Sequence, residues 1–207
     1  MNYLPPITPK RLLGSELFRS AGQSLGFDVL EFWRWSGSDL VSNATRGRLA
    51  EFITARALCA PTSGVRDEWA AYDLETREGI KVEVKSSAYL QSWAQAKPSS
   101  VLFSVRKARA WDRESNRQAA VPTREADVYV FALLRHQNKE TLDPLDIDQW
   151  EFYVLPTRAL NERKRSQHSI TIKSLRALGA GPIAFEALPG RVREAHHSGQ
   201  HLPTRPL

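Results

Sequence analysis

Residues Trp69–Gln91 read WAAYDLETREGIKVEVKSSAYLQ, and the way this stretch folds decides the rest of the chain. Ile80, Val82 and Val84 alternate with Lys81, Glu83 and Lys85. A period of two marks a strand with one face in a core and the other face polar. Upstream, Trp69–Glu75 is rich in aromatic and apolar residues, and Glu75-Thr76-Arg77-Glu78-Gly79 is a polar run closed by a glycine, which suits a hairpin turn. Pairing the two strands around Arg77 and Glu78 sets Asp73 opposite Glu83. Directly opposed residues have Cβ atoms about 4.5–5.5 Å apart, so two carboxylates there repel unless a cation sits between them. Mg²⁺ takes one or two carboxylates together with water and phosphate oxygens, and Mn²⁺ substitutes for it, so a divalent ion suits this position.

Around the hairpin, the next clear elements are a helix that starts at Asn43 or Thr45 and runs to about Cys59, with Leu49, Phe52, Ile53, Ala57 and Leu58 as its apolar stripe, and two later strands. Ala126–Leu134 (ADVYVFALL) is nearly all apolar and reads as a central strand buried on both faces. Trp150–Leu155 (WEFYVL) is the strand after it, stopped by Pro156. Val101–Val105 and Ser169–Lys173 read as short strands, and Ser86–Ala96 as a short helix or an irregular crossover. At the start, residues 1–10 hold three prolines and read as an extended arm, Lys10–Leu25 as an amphipathic helix ended by Gly26, and Phe27–Trp35 as an aromatic strand. Trp33 and Trp35 in it serve a core or a stacking platform for bases.

Asp73 with Glu83-Val84-Lys85 on the neighbouring strand, and an acidic helix residue upstream, resembles the PD-(D/E)XK nuclease superfamily. The resemblance covers about residues 45–155 and implies a restriction-endonuclease-like α/β core, a central mixed sheet flanked by helices. By position it implies that Asp73 and Glu83 hold the metal, that the Val84 carbonyl touches it, and that Lys85 activates or orients water and offsets phosphate charge. Glu51, in GRLAEFITARAL, matches the family's helical glutamate, and Gln91 matches a glutamine after the lysine strand. Tyr72 stands where the family's proline is expected. A second Glu-x-Lys, Glu162-Arg163-Lys164, lacks the alternating apolar residues and a partner acid.

The chain of 207 residues suits one domain over 1–188 with a flexible basic tail over 189–207. Its net charge of +6, from 29 Lys+Arg against 23 Asp+Glu, favours an anionic partner such as nucleic acid, DNA above all. The expected contacts to it are Arg46 and Arg48 beside Glu51, and Arg106, Lys107, Arg109 and Arg113 in the strongest basic run. A single cysteine, Cys59, excludes an internal disulfide and reads as a small core residue in a reducing, cytoplasmic protein. There is no apolar run long enough for a membrane span, no glycine-rich phosphate loop, and no serine nucleophile elbow. His196, His197 and His201 read as incidental. The reading is a metal-dependent nuclease, with specificity supplied by a partner or by dimerisation; the alternative is a catalytically silent nuclease fold that binds nucleic acid or docks a partner.

Overall fold

In the computed structural model, which describes residues 4–200, the chain builds in order β1 (Leu17–Ser20), β2 (Gln23–Asp28), α1 (Val29–Gly37), α2 (Asn43–Ala57), β3 (Leu74–Glu75) and β4 (Lys81–Ala88). Next come β5 (Leu102–Ser104), β6 (Trp111–Asp112), β7 (Arg117–Gln118), β8 (Val128–Leu134), β9 (Trp150–Pro156) and α3 (Thr157–Glu162). Strand β10 (Ser169–Thr171) and helices α4 (Ile172–Ala177) and α5 (Leu188–Gln200) complete it. The central sheet has the order β3-β4-β8-β9, antiparallel at both sides and parallel between β4 and β8. It is a mixed sheet flanked by helices. All seven residues of β8 are buried, as an interior strand with a core on each face requires.

Side-chain parity divides the core. Val82, Val84, Val128, Val130, Phe152 and Val154 pack with Ala50 and Ile53 of α2 and Leu188 and Val192 of α5. The alternate positions Tyr129, Phe131, Tyr153 and Leu155 pack on the other face with Phe103, Leu160, Ile170 and Leu175. Because successive strand residues point to opposite faces, Glu83 and Lys85, in register with Tyr129 and Phe131, share the second face.

The β3–β4 hairpin forms as the sequence implies. Gly79 has φ +80°, Gly79 N–H donates to Thr76 O at 3.0 Å, and Thr76 N–H donates to Ile80 O at 3.0 Å. A residue other than glycine would be strained at that backbone angle. The partner strand is much shorter than Trp69–Glu75, however: Leu74 and Glu75 pair with β4, and one further backbone bond, from Asp73 N–H to Val82 O, extends the ladder.

Other expectations are corrected. Lys10–Leu25 is not a helix: Leu17–Ser20 and Gln23–Asp28 form a hairpin whose turn residues Ala21 and Gly22 have φ +49° and +80°. Phe27–Trp35 is not a strand: Asp28 caps α1 by accepting from Glu31 N–H, while the Glu31 carboxylate accepts from Asp28 N–H. Trp33 and Trp35 are both exposed, not in the core. Helix α2 starts after Ser42, buries Ala50, Ile53 and Thr54, and leaves Phe52 exposed. Cys59 is exposed, past the helix end at φ +50°. Residues 189–200, expected in a flexible tail, belong to α5, whose Leu188, Val192 and Ala195 are buried; the remainder of that tail, with His201, lies outside the described residues. No helix among the described residues is long and apolar enough to cross a membrane.

Candidate functional site

Register brings two acids together. Leu74 pairs with Val82 and Glu75 with Lys81, and Asp73 N–H continues the ladder by donating to Val82 O at 3.2 Å, which sets Asp73 beside Glu83. The backbone then leaves the sheet, and the Asp73 side chain replaces the missing ladder acceptor: Val84 N–H donates to Asp73 Oδ2 at 2.7 Å. Thus Val84 enters the site through its amide. The Lys85 ammonium donates to Glu83 Oε1 on the shared face. Asp73 and Glu83 expose only 17% and 18% of their side chains, so these charges are largely withdrawn from water.

Burial, then the charges of Glu83 and Glu51, push the Asp73 carboxyl from its ordinary 3.8 up to about 7, against the Val84 amide and Lys85, which lower it. A carboxyl this far from its usual range marks a crowded anionic site. Burial, followed by the Glu83 charge, likewise raises the Tyr129 hydroxyl, in register with Glu83 on β8.

Glu51 arrives from α2 and joins the acids through Arg66. The Arg66 guanidinium holds Glu51 with both Nε and Nη2, the latter 2.9 Å from Oε1, and its Nη2 lies 3.9 Å from Asp73 Oδ1. The hydrogen bond with Glu51 raises the Arg66 pKa. A cleft of about 360 Å³ borders this edge, lined by Arg48, Glu51, Arg66, Tyr72, Asp73 and Glu75 among others.

The remaining expected residues divide. Gln91 is buried, donates to Ala88 O at 3.2 Å and meets the Arg46 guanidinium at 3.5 Å; its hydrogen bonds run to that network and not to the acids. Arg46 corrects the expectation of a phosphate-facing side chain. It is 4% exposed, and its guanidinium donates to Val41 O at 2.8 Å, Asn43 Oδ1 at 2.6 Å and Ser86 Oγ at 3.3 Å. Arg48 is exposed, 3.8 Å from Glu68. Arg106, Lys107 and Arg109 are exposed ahead of the β6–β7 hairpin. Arg113 in that hairpin lies 3.5 Å from Asp67 and donates to Ile7 O at 3.1 Å, while the Trp69 and Trp111 rings lie 5.4 Å apart. These contacts fasten the basic run beside the loop that carries Arg66 into Asp73. The decoy Glu162 is exposed on α3, 3.6 Å from Arg158. His196 approaches Asp127 at 4.0 Å, and Asp127 accepts from Lys81 N–H at 2.9 Å, a strand-capping role.

Arg66 and Tyr129 were not singled out by the sequence. Arg66 sits in the loop PTSGVR without a periodic context, and Tyr129 resembles any core residue until the parallel register is known. Comparison of the sequence with protein-family models and with curated proteins gives no match.

Among the described residues, no three His, Cys, Asp or Glu side chains converge as a ready metal cage. The donor set still fits a hard dication: two neighbouring carboxylates are enough for Mg²⁺, which completes its shell with water and phosphate oxygens. Burial first, then the charges of Glu83 and Glu51, hold back Asp73 ionisation, and a dication beside the carboxylates opposes all three.

Proposed function

We propose that this protein is a divalent-metal-dependent nuclease that hydrolyses phosphodiester bonds within DNA, on a restriction-endonuclease-like core. The observation that carries this reading is the juxtaposition of Asp73 and Glu83 on adjoining strands, with Lys85 hydrogen-bonded to Glu83 on the same face. Asp73 and Glu83 would hold Mg²⁺, or Mn²⁺ in its place. When bound, that ion supplies Lewis-acid polarisation of a phosphate oxygen and a water of lowered pKa.

The chain's own residues do the rest. The Val84 amide fixes the Asp73 carboxylate by donating to Oδ2, leaving Oδ1 free of backbone contact. Lys85 brings a positive charge to the scissile phosphate and three donors that orient the attacking water. Its bond to Glu83 sets the ammonium beside the acids and not out in solvent. Arg106, Lys107, Arg109 and Arg113 lie along a flank tied to the same loop and neutralise backbone phosphates, an interaction that weakens as salt rises.

One observation favours a second reading, a silent nucleic-acid-binding or partner-docking fold: Arg66 already compensates Glu51 and approaches Asp73, so a protein cation partly fills the need for a metal. Calorimetric titration with Mn²⁺ and cleavage of supercoiled plasmid, linear, single-stranded and RNA substrates separate the two. The nuclease reading expects Mn²⁺ uptake that is lost in Asp73→Ala and Glu83→Ala, and cutting that is lost in Lys85→Ala. Metal-independent nucleic-acid binding, with no cleavage by the wild type, would establish the silent reading.

A further inference from the structure

Two tryptophans stand beside the acidic site and take no part in the core. Trp69 is 69% exposed and Trp111 is half-buried, with ring centroids 5.4 Å apart and planes tilted by 55°. Both line a cavity of about 750 Å³, together with Pro6, Ile7 and Pro9 of the arm. Arg113 ties the arm down by donating to Ile7 O at 3.1 Å. Val65, Arg66 and Asp67 line both this cavity and the cleft at Asp73, so the two share a wall. Trp69 precedes Asp73 by four residues, at most ~14 Å of chain. At ~3.4 Å per nucleotide along a strand, a base on Trp69 lies within about four nucleotides of a phosphate at Asp73.

Charge selects the occupant. Residues 106–117 hold Arg106, Lys107, Arg109, Arg113 and Arg117 against Asp112 and Glu114, a net +3 within a chain of net +6. Arg106, Lys107, Arg109 and Arg117 are exposed and make no ion pair among the described residues. Two of the three acids lining the cavity are already engaged, Asp67 with Arg113 at 3.5 Å and Glu68 with Arg48 at 3.8 Å.

The backbone gathers these groups. Lys107, Arg109 and Trp111 alternate along an extended segment held by the pairing of Ala108 with Thr123 and by Ala119 N–H, which donates to Ala110 O at 2.8 Å. Alternate residues share a side, so two unpaired cations and an indole face the same way. A ligand that matches them carries a flat π face between anionic groups, as a nucleotide strand does. In a duplex the faces of each base are covered by its neighbours, and only an unpaired base can stack on a tryptophan. Aromatic platforms set in a basic groove grip single strands in this manner.

Resting on the nuclease reading for the neighbouring site, we propose that Trp69 and Trp111, with Lys107 and Arg109, form a stacking subsite for unpaired nucleotides and direct the protein to single-stranded DNA. Fluorescence anisotropy on the full chain in EDTA tests this with three labelled probes: a short DNA strand, the blunt duplex of the same sequence, and the same strand made abasic. EDTA keeps every probe intact, so binding is read apart from cleavage. Wild type is expected to bind the strand at least about fivefold more tightly than the duplex, and the strand to quench tryptophan fluorescence. Trp69→Ala should weaken strand binding by about fivefold to a hundredfold, the loss of one stacked base, and leave duplex binding within about twofold. The abasic strand should bind wild type and Trp69→Ala alike, and Arg109→Ala should weaken strand and duplex together. Equal wild-type affinity for intact and abasic strands would overturn the proposal however the variants fold. So would a duplex bound as tightly as the strand, binding to neither, or a Trp69→Ala protein that loses both equally. Mn²⁺-dependent cutting with strand affinity unchanged in Trp69→Ala sinks the subsite and spares the nuclease reading; a base-dependent strand preference without cutting does the reverse.

Discussion

Replacing Asp73 by Asn tests the electrostatic account of the site without reference to catalysis. In the folded protein the Asp73 carboxyl is pushed from 3.8 up to about 7. Between those values the native state holds a proton that the unfolded state has released, so stability falls as pH rises through that window. Three pH units at ~1.36 kcal/mol each make about 4 kcal/mol an upper figure for the charged form at pH 8. With its side chain only 17% exposed, solvent screening reduces that figure little. Asparagine keeps the shape and a carbonyl for the Val84 amide, but carries no charge to be repelled by Glu83 and Glu51. Urea unfolding in EDTA at pH 5 and pH 8 measures the difference. At pH 5, already about 1.2 units into that window, Asp73→Asn should exceed wild type by about 1–2 kcal/mol; at pH 8 it should exceed it by about 2–4 kcal/mol. Other titrating groups are common to both, so the difference between the proteins isolates this carboxyl. Equal pH dependence, or an asparagine variant weaker than wild type at pH 8, would refute the reasoning.

Removing the internal counter-cation with Arg66→Ala should lower metal-free stability by only about 1 kcal/mol, because the pair is partly exposed, yet tighten Mn²⁺ binding measured by calorimetry. Arg46→Ala should cost about 2–3 kcal/mol in urea unfolding, since it strands the acceptors of Asn43 and Val41, and should leave the salt dependence of DNA binding unaltered. The double substitution Arg106→Ala with Lys107→Ala should do the opposite: stability within about 0.5 kcal/mol of wild type, and a slope of log affinity against log salt reduced by about two, read by fluorescence anisotropy. Glu162→Ala, in the second Glu-x-Lys, should alter neither Mn²⁺ binding nor DNA affinity, because that carboxylate points to solvent near Arg158.

The residues that misled a reading of the sequence did so for definable reasons. Leu12, Leu13, Leu17 and Phe18 are spaced for a helix, but a two-residue turn with positive φ at both Ala21 and Gly22 closes a hairpin there, without the Asn-Gly pair that usually announces one. The signature of α1 was present in Asp28-Val29-Leu30-Glu31, a reciprocal cap, beneath an aromatic composition that suggests a strand. In α5, Leu188, Val192 and Ala195 recur at helical spacing within a polar run, and only Pro156, Phe152 and their neighbours on the sheet make that thin stripe worth burying.

By itself the sequence determined the alternation of β4, the apolar run of β8, the extent of α2 to within a few residues, and the opposition of Asp73 to Glu83. These are local matters: strand period, burial tolerance and the length of a glycine-closed turn set them over short separations. Tertiary structure alone decided that Arg46 and Gln91 face inward, that Arg66 joins Glu51 to Asp73, and that Tyr129 stands in register with Glu83. Each of these depends on how segments distant along the chain are brought together, through the parallel pairing of β4 with β8 and the seating of α2 on the sheet, and no short-range pattern encodes that.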